Sequence, residues 1–162
     1  MRAAALVAGL GSWCATAGAC SGGSVGLSKP EYIRRAGAIC RDADDAVRKL
    51  TPDSTTAASV AASIDDVVTI ERAAVQRLHA LRPPTGDAHA LAQWLQLVDR
   101  SLDELEASGR AAAADDAQGA NAANVRSGSL QQQADVVALD YGVVGCAAPP
   151  APPPGPGPSA AP

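Results

Sequence analysis

The stretch 27-LSKPEYIRRAGAICRDADDAVRKL-50 decides the fold of this chain. Its Ser28 and Glu31 stand in the order of a capping box, in which each side chain accepts a hydrogen bond from the other residue's backbone N–H. Apolar residues then recur at steps of three and four, as on one face of a helix: Ile33, Ala36, Cys40, Ala43, Val47 and Leu50. The stretch therefore predicts an amphipathic helix that places Cys40 against a core.

Two segments of the same periodicity follow. Asp53 or Ser54 is expected to cap a second helix that runs to about Arg82, where Pro83-Pro84 stops it. Asp87 is expected to cap a third helix, which carries the strongest apolar stripe of the chain: Leu91, Trp94, Leu95, Val98, Leu102 and Leu105. Each helix thus has one face to bury.

A fourth helix is predicted after an ambiguous stretch, 109–118. Its alanines can extend the third helix, and Asp115 or Asp116 can cap the next one. The fourth helix is expected to end at Gly142, because glycine adopts the left-handed conformation at little cost. Four amphipathic helices with short links favour an all-α fold, an up-down-up-down four-helix bundle.

The composition limits the size and the partners of the protein. A chain of 162 residues forms one domain, placed here at 28–146, and a core without phenylalanine suits closely packed helices. A net charge of −4, with no basic patch, argues against nucleic-acid binding. The Pro-rich end, 147–162, has no core-forming residue and is expected to be a disordered, polyproline-like tail.

Residues 1–19 are typical of an export signal, with an apolar run too short for a stable membrane span. The ending Ala17-Gly18-Ala19-Cys20 resembles the lipobox of bacterial lipoproteins, whose cysteine receives diacylglycerol on its sulfur and becomes the first residue after cleavage. This predicts a lipid anchor at Cys20, a tether over 20–27 and a location on the outer face of the cell membrane. The same small residues fit the A-x-A site of ordinary secretion, so a freely secreted protein is the alternative.

The four cysteines have different expected fates. Cys14 leaves with the signal and Cys20 is the anchor candidate, so Cys40 and Cys146 remain together in an oxidising compartment. Neither has the CxxC neighbour of a metal site. We predict a Cys40–Cys146 disulfide that ties the first helix to the end of the fourth; two free thiols are the alternative.

Few residues suggest chemistry. His79 and His89 flank the Pro-Pro turn with Asp87 nearby, and two imidazoles with a carboxylate are ligands for Zn²⁺ or Cu²⁺. They lack a fixed ligand spacing, so exposed histidines at helix ends are the simpler interpretation. The sequence has no Gly-x-Ser-x-Gly, phosphate loop or Glu-x-x-His pair. We predict no catalytic residues and no cofactor, with a metal-assisted envelope enzyme as the alternative.

Three motifs carry a resemblance: LSKPEYIRRAGAIC at 27–40, LHALRPP at 78–84 and, after a helix with Trp94, YGVVGC at 141–146. Together they resemble a group of small actinobacterial lipoproteins and secreted proteins of unknown function. The resemblance implies a helical bundle, a disulfide and an envelope location, and it implies no activity. The sequence thus predicts a non-catalytic binding module, held at the membrane by its lipid, whose partner is an envelope protein or a small apolar ligand.

Overall fold

Four helices in series make up the computed structural model, which describes residues 26–51 and 56–147. They are α1 (Lys29–Val47), α2 (Ala57–His79), α3 (Ala88–Ala113) and α4 (Ala117–Tyr141), followed by a 3₁₀ segment, Val144–Cys146. The predicted all-α bundle and its Cys40–Cys146 disulfide are confirmed. None of the helices in this described part is long and apolar enough to span a bilayer. The predicted signal 1–19, the anchor Cys20 and the tail after residue 147 lie outside the described residues.

Only half of the predicted capping box forms at the start of α1. Ser28 Oγ accepts a hydrogen bond from the Glu31 N–H at 3.4 Å. The Glu31 carboxylate accepts instead from Arg34 Nε at 2.9 Å and from Arg35 Nε at 2.6 Å. These charge-assisted bonds are stronger than a bond to a neutral backbone N–H, so the glutamate turns away from the helix end.

α2 is shorter than the sequence predicted. Its cap is Thr56, whose hydroxyl accepts from the Ser59 N–H at 3.2 Å, and not the predicted Asp53 or Ser54, which lie outside the described residues. The helix ends at His79 instead of continuing to Arg82. The Pro-Pro turn explains the early end, because the residue before a proline is pushed out of the helical region and proline lacks the N–H that the next turn requires.

The ambiguous stretch 109–118 contains one sharp reversal. α3 continues to Ala113, and Asp115 then takes a left-handed conformation with φ 56°. Asp116 caps α4, since its carboxylate accepts from the Gly119 N–H at 2.8 Å. Both interpretations of the stretch are therefore partly right: its alanines extend α3 and its second aspartate starts α4.

Consecutive helices pack against each other, but α1 and α4 do not pack along their lengths. Their ends meet through rings: Tyr32 and Tyr141 are edge to face with centroids 6.0 Å apart, and Lys29 Nζ lies 4.2 Å from the Tyr141 centroid. Beyond that point the 3₁₀ segment contacts α1 in place of α4. The bundle thus has three closed helix–helix interfaces and one open seam.

The 3₁₀ segment lies directly on the backbone of α1. A Cβ built at Gly145 would lie 3.0 Å from the Gly37 carbonyl oxygen and 3.1 Å from the Gly37 Cα. One residue later Cys146 joins Cys40, with a Cα–Cα distance of 5.1 Å. The close approach of two glycine backbones therefore brings the two cysteines within reach of each other.

We expect Gly145→Ala to lower the free energy of unfolding by about 1–3 kcal/mol, because its Cβ meets backbone that cannot move without moving α1. Gly37→Ala is the matched control. Its Cβ meets only the flexible end of Arg41 at 3.2 Å, and alanine favours a helix interior by up to about 1 kcal/mol. Urea unfolding monitored by circular dichroism measures both. Equal losses in the two variants would contradict the described contact.

Candidate functional site

The three candidate metal ligands do not converge. Asp87 is the N-cap residue of α3, as predicted, but its side chain makes no capping hydrogen bond: Oδ2 accepts from the Tyr141 hydroxyl at 2.7 Å instead. His79 Nε2 lies 2.9 Å from Asp99 Oδ2, and His89 is exposed in the first turn of α3. Between residues 26 and 51 and between 56 and 147, no three His, Cys, Asp or Glu side chains are placed to hold a metal ion.

The open seam between α1 and α4 forms a cleft of about 460 Å³. All four helices line it, and its floor is apolar. We call it the interhelical cleft. Its lining includes Asp44 and Arg48 of α1; Glu71, Val75 and Leu78 of α2; Trp94, Val98 and Ser101 of α3; and Asn124, Ser127, Gly128 and Gln131 of α4. Its volume lies within the usual range for small-molecule sites, roughly 300–1,000 Å³.

Glu71 is the unusual residue of the interhelical cleft. It stands on the same face of α2 as Val67, Val75 and Leu78, where the helical period calls for an apolar side chain. Its carboxylate is half-buried and has no hydrogen bond or ion pair among the described residues. Burial, and then the nearby Asp44 carboxylate, raise the pKa of Glu71 above its ordinary value.

Trp94 contributes the second unpaired group. Its side chain is 2% exposed, and its Nε1 is the one fully buried side-chain nitrogen or oxygen without a hydrogen-bond partner in the described part. The ring lines both the interhelical cleft and a smaller cavity of about 200 Å³ between α3 and α4, which Leu91, Val137, Ala138, Tyr141 and Val143 also line. A buried donor without an acceptor costs roughly 1–3 kcal/mol.

The two buried serines of the cleft are already paired. Ser127 Oγ donates to the Ser101 carbonyl oxygen at 2.9 Å, and Ser101 Oγ donates to the Ser127 carbonyl oxygen at 3.1 Å. Arg48 at the rim is bonded to Asp45. Glu71 is thus the cleft residue whose half-buried polar group has no partner among the described residues, whereas the serines hold α3 against α4.

Glu71 was not among the candidate residues predicted from the sequence, although a signal was present. The apolar positions of α2 include Val67, Val68, Ala74 and Val75, and the stripe leaves a gap one turn wide that Glu71 fills. A charged residue inside an apolar stripe is rare unless it is paired or functional. The cleft itself was not predictable, because periodicity identifies the face that each helix buries and says nothing of which two faces fail to meet.

We expect Glu71→Gln to raise the free energy of unfolding at neutral pH. The raised pKa means that folding favours the protonated form, so stability falls as pH rises through the range above the ordinary glutamate pKa. Glutamine removes that loss. In urea unfolding the gain should appear at about pH 7 and vanish by about pH 3, where the carboxyl is protonated in both states.

Asp66→Asn is the matched control for charge, because Asp66 is exposed on the same helix and does not line the cleft. It should leave stability nearly unchanged. A Glu71→Gln variant that is less stable than the parent at neutral pH would mean that the carboxylate has a favourable partner in solution.

No protein family, curated protein or solved structure was found to match this chain. The resemblance to actinobacterial lipoproteins therefore stays a prediction.

Proposed function

We propose that this protein is a lipid-anchored binding module of the cell envelope that holds a small amphipathic molecule in the interhelical cleft without transforming it. The observation that carries the proposal is the open seam between α1 and α4, where an apolar floor carries Glu71, a half-buried carboxylate that has no partner within the described residues. Pockets of this kind, mostly apolar with a few convergent polar groups, are the usual sites for small ligands.

The expected address supports the same proposal. The export signal and Cys20 predict an anchor outside the cytoplasm, and a structural disulfide is typical of that compartment. The absence of a catalytic pattern in the sequence favours binding over turnover. The neighbouring serines do not suggest a nucleophile, because each already donates its hydroxyl proton to a helix carbonyl.

The address is tested by intact mass measurement of the full chain expressed in a bacterium that processes lipoproteins. We expect residues 1–19 to be absent, Cys20 to carry diacylglycerol and the protein to sediment with membranes; Cys20→Ala should abolish the lipid. A cleaved chain without lipid in the medium would overturn the anchor and support free secretion instead.

Binding is tested on the mature chain, residues 20–162, exported to an oxidising compartment with Cys20→Ser so that no detergent is needed. Three octyl compounds serve as probes: octylammonium, octanol and octanoate. Trp94 is the single tryptophan after residue 19, and it lines the cleft, so its emission reports occupancy. Saturable binding of at least one probe is expected. Failure of all three to bind would overturn the proposed function.

A blocking variant locates the bound probe. Gly128 lines the cleft, and a Cβ built there has no atom within 4 Å, so Gly128→Leu extends a side chain into open space without a clash. It should abolish binding while it keeps or raises stability, since leucine favours a helix more than glycine does. Ser129→Leu, at the adjacent exposed position outside the cleft, should bind normally. Undiminished binding to Gly128→Leu would place the ligand elsewhere.

A further inference from the structure

We infer that the interhelical cleft selects an amphipathic monocation, whose charged head pairs with Glu71 and whose apolar body lies along Val75, Leu78 and Val98. This inference rests on the proposed function and names the chemical class of its ligand. An amine or guanidine on an alkyl or aryl body has that chemistry.

The position of Glu71 gives the first argument. The carboxylate stands inside an apolar stripe of α2, half-buried and without a hydrogen bond or ion pair among the described residues. A buried charge is costly unless a partner offsets it, so such a side chain is retained at a cost to the free protein. A bound cation supplies the missing partner, and a neutral ligand does not.

The charges on the surrounding elements give the second argument. α1 presents Asp44 and Arg48 to the cleft, and the Arg48 guanidinium is bonded to Asp45, which offsets its charge. α3 presents no charged side chain, and α4 presents the neutral Asn124 and Gln131. Two carboxylates, Asp44 and Glu71, therefore dominate the local field, which attracts a cation and opposes an anion.

The apolar wall gives the third argument, because it excludes a bare metal ion. The two carboxylates line the cleft together with Val75, Leu78 and Val98, and no three His, Cys, Asp or Glu side chains of the described residues are placed to hold the metal ion. An organic cation needs one counter-ion and an apolar surface, and the cleft has both.

The three octyl probes test this inference, since they have equal chain length and differ in charge. Trp94 emission and thermal shift are followed during titration of the parent, Glu71→Gln and the control Asp66→Asn. We expect the parent to bind octylammonium more tightly than octanol, and octanol more tightly than octanoate. Glu71→Gln should weaken octylammonium binding at least about tenfold and leave octanol unaffected, because only the ion pair is removed. Asp66→Asn should behave as the parent.

The possible results separate the inference from the function on which it rests. If octanol binds as tightly as octylammonium and Glu71→Gln changes neither, the cation inference is overturned and the proposed binding function stands. If octanoate binds most tightly, the inference is likewise overturned. If no probe binds to any variant, the proposed function fails, and the inference fails with it. If Asp66→Asn weakens octylammonium binding as much as Glu71→Gln does, the effect of charge is general, and the role of Glu71 is overturned.

Discussion

Replacement of Cys40 and Cys146 together by alanine should lower the free energy of unfolding by about 4–5 kcal/mol, the largest effect expected in this chain. The disulfide joins residues separated by 106 positions, so its removal frees a loop of nearly the whole domain in the unfolded state. For a body of this size the midpoint of thermal unfolding should fall by about 15–20 °C. Calorimetry of the parent and the double variant measures both quantities.

Two comparisons show whether the loss comes from the cross-link. A dithiol reductant should bring the parent close to the double variant. The single change Cys40→Ala should cost about as much as the double one, because either substitution removes the same bond. A loss under about 1 kcal/mol would mean that the two thiols are free in the mature protein, the alternative left open by the sequence.

Trp94→Ala should destabilise the protein by about 3–5 kcal/mol, because it empties the volume of the largest fully buried side chain. Trp94→Phe should cost much less than the alanine variant. Phenylalanine keeps most of the apolar contact, and it also removes the buried N–H that has no acceptor in the described part. Because tryptophan emission is lost in both variants, urea unfolding should be followed by circular dichroism.

Leu102→Ala is a suitable reference, since Leu102 is also buried in α3 and carries no polar atom in its side chain. Leu102→Ala should lower the free energy of unfolding by about 2–5 kcal/mol, through the lost apolar contacts and the cavity alone. If Trp94→Phe lowers the free energy of unfolding as much as Trp94→Ala does, the indole N–H of Trp94 is not unpaired and has an acceptor in solution.

Much of the helical order was readable from single residues. The stripe of α1, the stop at Gly142 (φ 101°) and the pairing of Cys40 with Cys146 follow from local spacing and from the count of cysteines. The helix starts were less predictable, because a cap is decided by competition. Asp87 has a better partner in Tyr141, and Thr56 caps α2 in place of the predicted Asp53 or Ser54.

The candidate site depended on packing that no stretch of sequence contains. The apolar face of α3 was predicted largely correctly, whereas α1 buries Tyr32 and Ile39, which its predicted stripe left out. The seam exists because a 3₁₀ segment, and not α4, covers α1. Sequence patterns point to His79, His89 and Asp87 as candidate chemistry, whereas the structure points to Glu71, a lone acid in an apolar stripe. Glu71 is a candidate because apolar side chains of several helices surround it, and that burial exists only in the assembled bundle.

The open seam also determines how the molecule comes apart. α1 is secured by α2 and by the short segment that ends in Cys146, whereas α3 has an extensive neighbour on each side. Backbone amides of α1 should therefore exchange with solvent deuterium through partial openings well below the global unfolding energy, and those of α3 only through global unfolding. Reduction of the Cys40–Cys146 disulfide would widen the difference between the opening free energies of α1 and α3. The first helix would then behave as a hinged flap, and its excursions would set the rate at which any occupant enters or leaves.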